Sequence, residues 1–340
     1  MGYTSFSMGR IDYNLDVDFL CEALYPDRMK DRFHQHSQFG YLFKCLFSPD
    51  LLTPQEVRGR KYIPLLERSY HGLQKYITLS SGKICYIEKG EGPPLLLLHG
   101  LGANISRWNA TIEALSEHYR VIAYDHPGFG KSDKPRKDYS IPWLSQILTE
   151  FIVRLDLHEV AVVGHSMGGA ILLHNLIEEN NPIRHAIVVS PASIHAPYGK
   201  VSQWLVQLFL KTNEANRLLP KALAGCVAQR TETVLDMLFH AAHIQKDPEW
   251  PDLQWSVTSA TKNLLAFTLK DRLSLIKKPL LIVWGEEDTL QPPNLALGMH
   301  KSIPAAQLEF IPHCGHFPML ECPEIFHQKI LSFLEGKNID

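Results

Sequence analysis

The 340-residue chain lacks any window of about 18 uncharged apolar residues, the length that a bilayer-spanning helix needs. Its start, Met1 to Arg10, has no basic patch followed by an apolar run, so no secretory signal is read there. Gly2 invites a myristoyl group, but the position that requires Ser or Thr holds Phe6. There is no basic excess: Lys plus Arg number 34 against 36 for Asp plus Glu, a net charge of −2. Phosphate backbones are bound by clustered cations, so a nucleic-acid partner is not expected. No C-x-x-C pair occurs; Cys21, Cys45, Cys85, Cys226, Cys314 and Cys322 are scattered, as suits reduced thiols in a cytoplasmic protein. Internal repeats and low-complexity tracts are also missing. What remains is ordinary globular composition, 45% hydrophobic and 21% charged, which excludes wholesale disorder. The length suggests about two domains and a core large enough to need no metal or disulfide staple.

Residues 1–72 have no clean period but many aromatics, among them Tyr13, Phe19, Tyr25, Phe33, Phe39, Tyr41, Phe43 and Phe47. This extension is expected to fold as short helices on the main body. After Gly72 the pattern changes. Lys75–Ser80 and Lys83–Glu88, separated by Ser81-Gly82, read as a hairpin. Pro94–Leu98 and Arg120–Tyr124 are short apolar runs of the kind buried on both faces of a parallel sheet. Helical spacing over Arg107–His118, Trp143–Leu155 and Met167–Glu179 alternates with strands at Glu159–Val163 and His185–Val189. Such alternation predicts an α/β fold, a mostly parallel sheet with helices on both faces. The alternation stops at Ser190. Residues 191–276 carry helical stretches (Val201–Leu210, Thr231–Ile244, Asn263–Leu269), and the strand pattern resumes at Pro279–Trp284. A helix near Asn294–His300, a strand at Gln307–Ile311 and a helix at Glu324–Leu334 follow. The core is therefore expected over 73–190 and 277–340, with 191–276 inserted as a helical cap.

Val160–Val163 runs into Gly164-His165-Ser166-Met167-Gly168-Gly169, followed by a helical pattern. This is G-x-S-x-G in the strand–turn–helix context that gives it mechanical meaning. The turn is too sharp for bulky neighbours, which holds Ser166 out at the C-terminal edge of the sheet. The helix behind it offers free N–H groups and a positive dipole end to a developing oxyanion. His99-Gly100-Leu101-Gly102 leaves the sheet at the same edge. The backbone N–H groups of Leu101 and Met167 are the expected oxyanion donors. His99 itself is expected to orient this loop and not to act as base.

The base is sought in Pro312-His313-Cys314-Gly315-His316-Phe317-Pro318, after the last strand. Two histidines compete, and Gly315 lets the loop turn tightly, which favours His316 over His313. A metal reading of His313-Cys314-x-His316 finds no further ligands at useful spacing. The acid that orients the base is sought after Leu280–Trp284, where Asp288 competes with Glu286 and Glu287. The order Ser166, Asp288, His316 is that of one fold and not of the two common serine-protease orders.

Together with Asp125-His126-Pro127-Gly128-Phe129-Gly130-Lys131-Ser132, these elements make residues 75–336 resemble the α/β-hydrolase family, its serine-nucleophile, esterase- and lipase-like branch with a helical cap. The resemblance implies that the Asp125 loop is structural. Relatives that are epoxide hydrolases or haloalkane dehalogenases carry Asp where this chain has Ser166. Carbon–carbon bond hydrolases of ring-cleavage products are nearer, but they commonly have Asn before the nucleophile and Trp after the base; here these are His165 and Phe317.

Within the insert, Val201, Trp204, Leu205 and Leu208 share one helical face, and Val206, Phe209 and Leu210 make a second side apolar. Trp204, Leu205 and Leu208 are the expected lining of an apolar acyl pocket, while Arg217, Lys221 and Arg230 are spaced like solvated side chains. The expected activity is hydrolysis of a carboxylic ester, a small-molecule or lipid-like substrate with a mostly apolar acyl group, without cofactor or metal. Peripheral membrane contact would suit such a substrate. The alternatives are carbon–carbon bond hydrolysis by the same residues, or a ligand-binding member of the fold that no longer turns over.

Overall fold

The four consecutive leucines Leu95–Leu98 are all fully buried, which only a central strand with both faces covered can achieve. The structure, a computed structural model, describes residues 52–64, 74–178, 182–195 and 223–336. Its strands are β1 Lys75–Leu79, β2 Gly82–Lys89, β3 Pro94–Leu98, β4 Arg120–Tyr124, β5 Val160–His165, β6 Ile183–Val189, β7 Leu280–Gly285 and β8 Ala306–Ile311. They form one sheet in the order β1-β2-β4-β3-β5-β6-β7-β8. β2 pairs antiparallel with β1 and β4, and every other pairing is parallel.

The alternation of side chains along each strand divides the core in two. Leu96, Leu98, Val162, Val188 and Ile282 pack with Leu144, Leu148 and Phe151 of helix Ile141–Arg154 and with Ile171 and Leu172 of helix Met167–Ile177. Leu95, Leu97, Val163, Val189 and Val283 pack on the opposite face with Ile112 and Leu115 of helix Asn109–Leu115 and with Phe326 and Ile330 of helix Pro323–Leu334. Each fully buried Leu contributes about 1.5–3 kcal/mol of transfer free energy. The doubly covered, mostly parallel sheet is the one that the alternating pattern predicts.

Two local expectations need correction. The helix expected over Arg107–His118 begins as a 3₁₀ turn, Ile105–Trp108, and ends at Leu115. Ser116 begins the turn that returns the chain to β4, with the amides of His118 and Tyr119 bound to Leu115 O. The helix expected over Asn263–Leu269 is the tail of a longer one, Trp250–Ala266, and Phe267 leaves it in an extended conformation. Its first turn carries Pro251, a position where the missing N–H costs nothing. The apolar face there is thin, with Leu253, Ser256, Val257 and Ala260 as the buried residues. Between β6 and β7 lie helices Glu232–His243 and Trp250–Ala266; Val201–Leu210, with Trp204, Leu205 and Leu208, falls outside the described residues.

Residues 52–64 contact these helices. Arg60 Nη2 pairs with Glu232 at 2.5 Å, Tyr62 Oη donates to Asp247 Oδ2 at 2.9 Å, and Arg230 Nε donates to Glu56 Oε1 at 2.9 Å. Arg230 is thus in an ion pair and not simply solvated. Among the described residues no helix is long and apolar enough to cross a membrane.

Candidate active site

The parallel pairing of β3, β5, β6, β7 and β8 brings their C-terminal ends to one edge, where loops can converge. At the end of β5, Ser166 takes φ +51° and ψ −112°, a region that non-glycine residues rarely occupy. Its N–H donates to Val189 O at 2.9 Å, and its carbonyl accepts from Ala170 and Ala192, each at 3.0 Å. Those bonds over-determine the strained turn. Its glycines are required by contact: a Cβ on Gly164 would lie 2.5 Å from Gly168 O, and one on Gly168 would lie 2.4 Å from Leu98 O.

The loop after β3 is fixed by two histidines. His99 Nδ1 donates to Gly100 O at 2.8 Å, so its Nε2 is free to accept from His126 N–H at 3.0 Å. His126 Nε2 in turn donates to His99 O at 3.1 Å. In the planar trans peptide after Gly100, a carbonyl turned to the His99 ring leaves the Leu101 N–H turned the opposite way. A Cβ on Gly100 would sit 3.2 Å from Ser166 Cβ, which shows how closely this loop passes the serine. Met167 N–H is at the first position of its helix, where no intrahelical acceptor exists. Asp125 anchors the far side of the same loop: its Oδ1 accepts from Ile105 N–H at 2.8 Å and its Oδ2 from Lys131 N–H at 2.7 Å.

The two candidate bases are placed very differently. His316 is 1% exposed, and its Nδ1 donates to Asp288 Oδ2 at 2.8 Å. Asp288 is likewise buried, with Oδ1 accepting from Leu290 N–H at 3.0 Å and Gln291 N–H at 2.8 Å. A carboxylate oxygen accepts, so the imidazole carries its proton on Nδ1 and presents Nε2 as a base. His313 lies at the surface facing Glu287, with Nδ1 and Oε1 3.3 Å apart, and Glu286 is exposed. The structure thus brings together His316 and Asp288, the pair favoured by the sequence, and leaves His313, Glu286 and Glu287 at the surface. β7 and the base loop touch at Gly285, where a Cβ would stand 2.2 Å from Gly315 O.

Sequence reasoning gave His165 no role beyond the turn. Its ring packs on the base loop: Nε2 donates to His316 O at 2.8 Å, and the two imidazole centroids are 4.8 Å apart. Phe317 packs on both rings. Ser166 Oγ itself makes no side-chain hydrogen bond among the described residues. Catalytic contacts of this kind often close only with substrate present. Lys134 Nζ, bonded to Gly130 O at 2.8 Å and Glu249 Oε2 at 2.6 Å, ties the helices between β6 and β7 to the Asp125 loop.

Three buried histidines are held neutral. Burial pushes His126 down to about 3 and, with neighbouring histidines adding to it, holds His99 and His165 well below the ordinary 6.5. The unfolded chain therefore binds more protons than the folded one below about pH 6.5, and stability falls as the pH drops through that value. Each such group removes about 1.4 kcal/mol per pH unit. The urea midpoint is expected to fall steadily from pH 7 to pH 5; a flat midpoint would contradict neutral burial of these rings.

A profile of the alpha/beta hydrolase fold matches residues 93–323. The chain belongs to the alpha/beta hydrolase fold family. It is 27% identical over 271 residues to a 2-hydroxy-6-oxo-6-(2'-aminophenyl)hexa-2,4-dienoic acid hydrolase of Metapseudomonas resinovorans, covering 78% of this chain and 92% of that one. It is 29% identical over 248 residues to a pimeloyl-(acyl-carrier protein) methyl ester esterase of Nitrosomonas europaea, covering 70% of this chain and 94% of that one. An esterase from Exiguobacterium antarcticum superposes with a TM-score of 0.68 at 26% identity, over 77% of this chain and all of the other. As a hydrolase of this family, the chain has relatives that include both esterases and carbon–carbon bond hydrolases.

Proposed function

We propose that this hydrolase cleaves a carboxylic ester with a mostly apolar acyl group through an acyl-enzyme on Ser166. The observation that carries the reading is the buried His316–Asp288 pair at 2.8 Å, at the same sheet edge as the strained Ser166 turn. Ser166 Oγ attacks the carbonyl while His316 Nε2 takes its proton. Asp288 holds the imidazole in the productive tautomer and stabilises the imidazolium. The Leu101 and Met167 N–H groups receive the oxyanion. His316 then gives the proton to the departing alkoxide, and water, activated by the same imidazole, releases the acid and restores Ser166. In this reading the helices between β6 and β7 serve as the cap over the acyl group.

The second reading, carbon–carbon bond hydrolysis, is favoured by the likeness to the Metapseudomonas hydrolase. The ester reading is preferred because the residue before the nucleophile is His165, whose Nε2 is already bound to His316 O, and Phe317 brings only an apolar ring. A panel of p-nitrophenyl esters of increasing acyl length, run beside a thioester and a ring-cleavage diketone, tests the choice. Esters turned over fastest is the expected result; preferential cleavage of the diketone would overturn it.

The contacts of residues 52–64 with Glu232, Asp247 and Arg230 support a stabilising part for the extension. Deleting residues 1–72 is expected to lower Tm and solubility while Ser166 still reacts with a fluorophosphonate. A truncated chain as soluble and heat-stable as the full one would contradict that.

A further inference from the structure

The loop that carries His316 is held by a carboxyl group that the proposed reaction does not touch. Glu321 is 2% exposed and ends the short helix Pro318–Glu321. Its Oε1 accepts from Phe317 N–H at 2.9 Å. Its Oε2 accepts from Gly315 N–H at 3.0 Å, Ala228 N–H at 2.7 Å and Gln229 N–H at 3.0 Å. Two of these donors flank His316 on either side. The other two belong to the segment that leads into helix Glu232–His243. His316 N–H itself donates to Cys226 O at 2.8 Å, and Gln229 Nε2 donates to His313 O at 2.9 Å. The contact is tight, since a Cβ on Gly315 would meet Cys226 O at 2.4 Å and Ala228 N at 2.9 Å.

We propose that Glu321 is a positioning residue that sets the place of the His316 imidazole and locks it to residues 226–229, so that the base and the cap segment move as one body. The proposal rests on the reading of His316 as the general base. Four N–H donors from two separate segments need an acceptor-only group with two oxygens, and a carboxyl group is the side chain that supplies it. Gln at this place would turn an NH₂ group toward backbone donors on one side. With the NH₂ in the place of Oε1 the bond to Phe317 is lost, and in the place of Oε2 those to Gly315, Ala228 and Gln229 are lost, so the Gly315–Phe317 bracket fails either way. Displacement of a catalytic group by about 1 Å can cost about 100-fold in rate. Substrate binding is unaffected to first order, because Glu321 contacts backbone and not the reacting groups.

The test is the concentration dependence of Ser166 labelling by a fluorophosphonate, which separates a maximal rate from a half-saturating concentration. It is run on the full chain as wild type, Glu321→Gln, Glu321→Asp, His316→Ala and Thr231→Val, with Tm measured for each. Thr231 Oγ1 donates to Leu320 O at 2.9 Å, so its loss cuts a neighbouring tie between the same two segments without touching Glu321. Glu321→Gln is expected to lower the maximal rate about 100-fold, leaving the half-saturating concentration within about two-fold of wild type. Glu321→Asp, which keeps both oxygens on a shorter arm, should fall between them. Thr231→Val should lower Tm and keep the rate. A folded Glu321→Gln, or if that variant does not fold a Glu321→Asp, labelling at the wild-type rate would overturn the proposal. So would an equal rate loss in Thr231→Val, which would make the effect merely structural. His316→Ala labelling at the wild-type rate would instead overturn the reading of the base on which the proposal stands.

Discussion

Ser166→Ala and His316→Ala are each expected to lower kcat about 10⁶-fold, as loss of the nucleophile or base does in a comparable triad. The fold should survive both. Ser166 is partly exposed and makes no side-chain hydrogen bond among the described residues, so removing its Oγ leaves the turn's backbone bonds in place. In His316→Ala the backbone bonds of residue 316 to Cys226 and His165 persist. That variant does leave buried Asp288 without its ring partner, so some stability should go with the activity. His313→Ala should cost little of either, since that ring lies at the surface beside Glu287. Inactivation by His313→Ala with His316→Ala harmless would reverse the assignment of the base. Steady-state kinetics on the best p-nitrophenyl ester, with Tm as the check on folding, decides it.

Asp288→Asn is expected to cost about 10⁴-fold in kcat, the loss seen when the corresponding acid of a related triad is neutralised. The cause is geometric. Asp288 Oδ1 is committed to the amides of Leu290 and Gln291, which fixes Oδ2 as the atom facing His316. An asparagine satisfying those two amides with its oxygen must present its NH₂ to Nδ1. The imidazole would then accept at Nδ1 and carry its proton on Nε2, where a base is needed. Glu286→Gln and Glu287→Gln, both at exposed positions, should stay near wild type. Equal small losses at all three positions would remove Asp288 from the account.

Where one local rule dominates, the sequence was legible. Pro94–Leu98 and Arg120–Tyr124 coincide with β3 and β4, because continuous apolar runs bounded by polar turns leave no freedom of register or length. The Ser166 turn was legible because Gly164 and Gly168, at fixed spacing, are demanded by backbone contacts under 3 Å, whatever the substrate. His316 and Asp288 were read over His313, Glu286 and Glu287 on thinner grounds, Gly315 before the histidine and the strand end before the acid. What the sequence did not show is the contact of Gly285 with Gly315, where β7 and the base loop touch. Glu321 was not legible at all. A glutamate between Leu320 and Cys322, followed by Pro323, looks like the polar start of a surface helix. Its burial comes from N–H groups supplied by residues about ninety positions away, a contact no local pattern announces. Helix Trp250–Ala266 was read short for a similar reason: its buried face is made partly of Ser256 and Ala260, small residues that carry little hydrophobic signal.

The central claim is that Ser166 is a nucleophile activated by His316. The most direct test is to treat the full chain with a fluorophosphonate and locate the adduct by peptide mass spectrometry. The account predicts one adduct, on Ser166, absent in Ser166→Ala and formed far more slowly in His316→Ala. No adduct on the folded wild type, or an adduct that persists at another residue in Ser166→Ala, would contradict it.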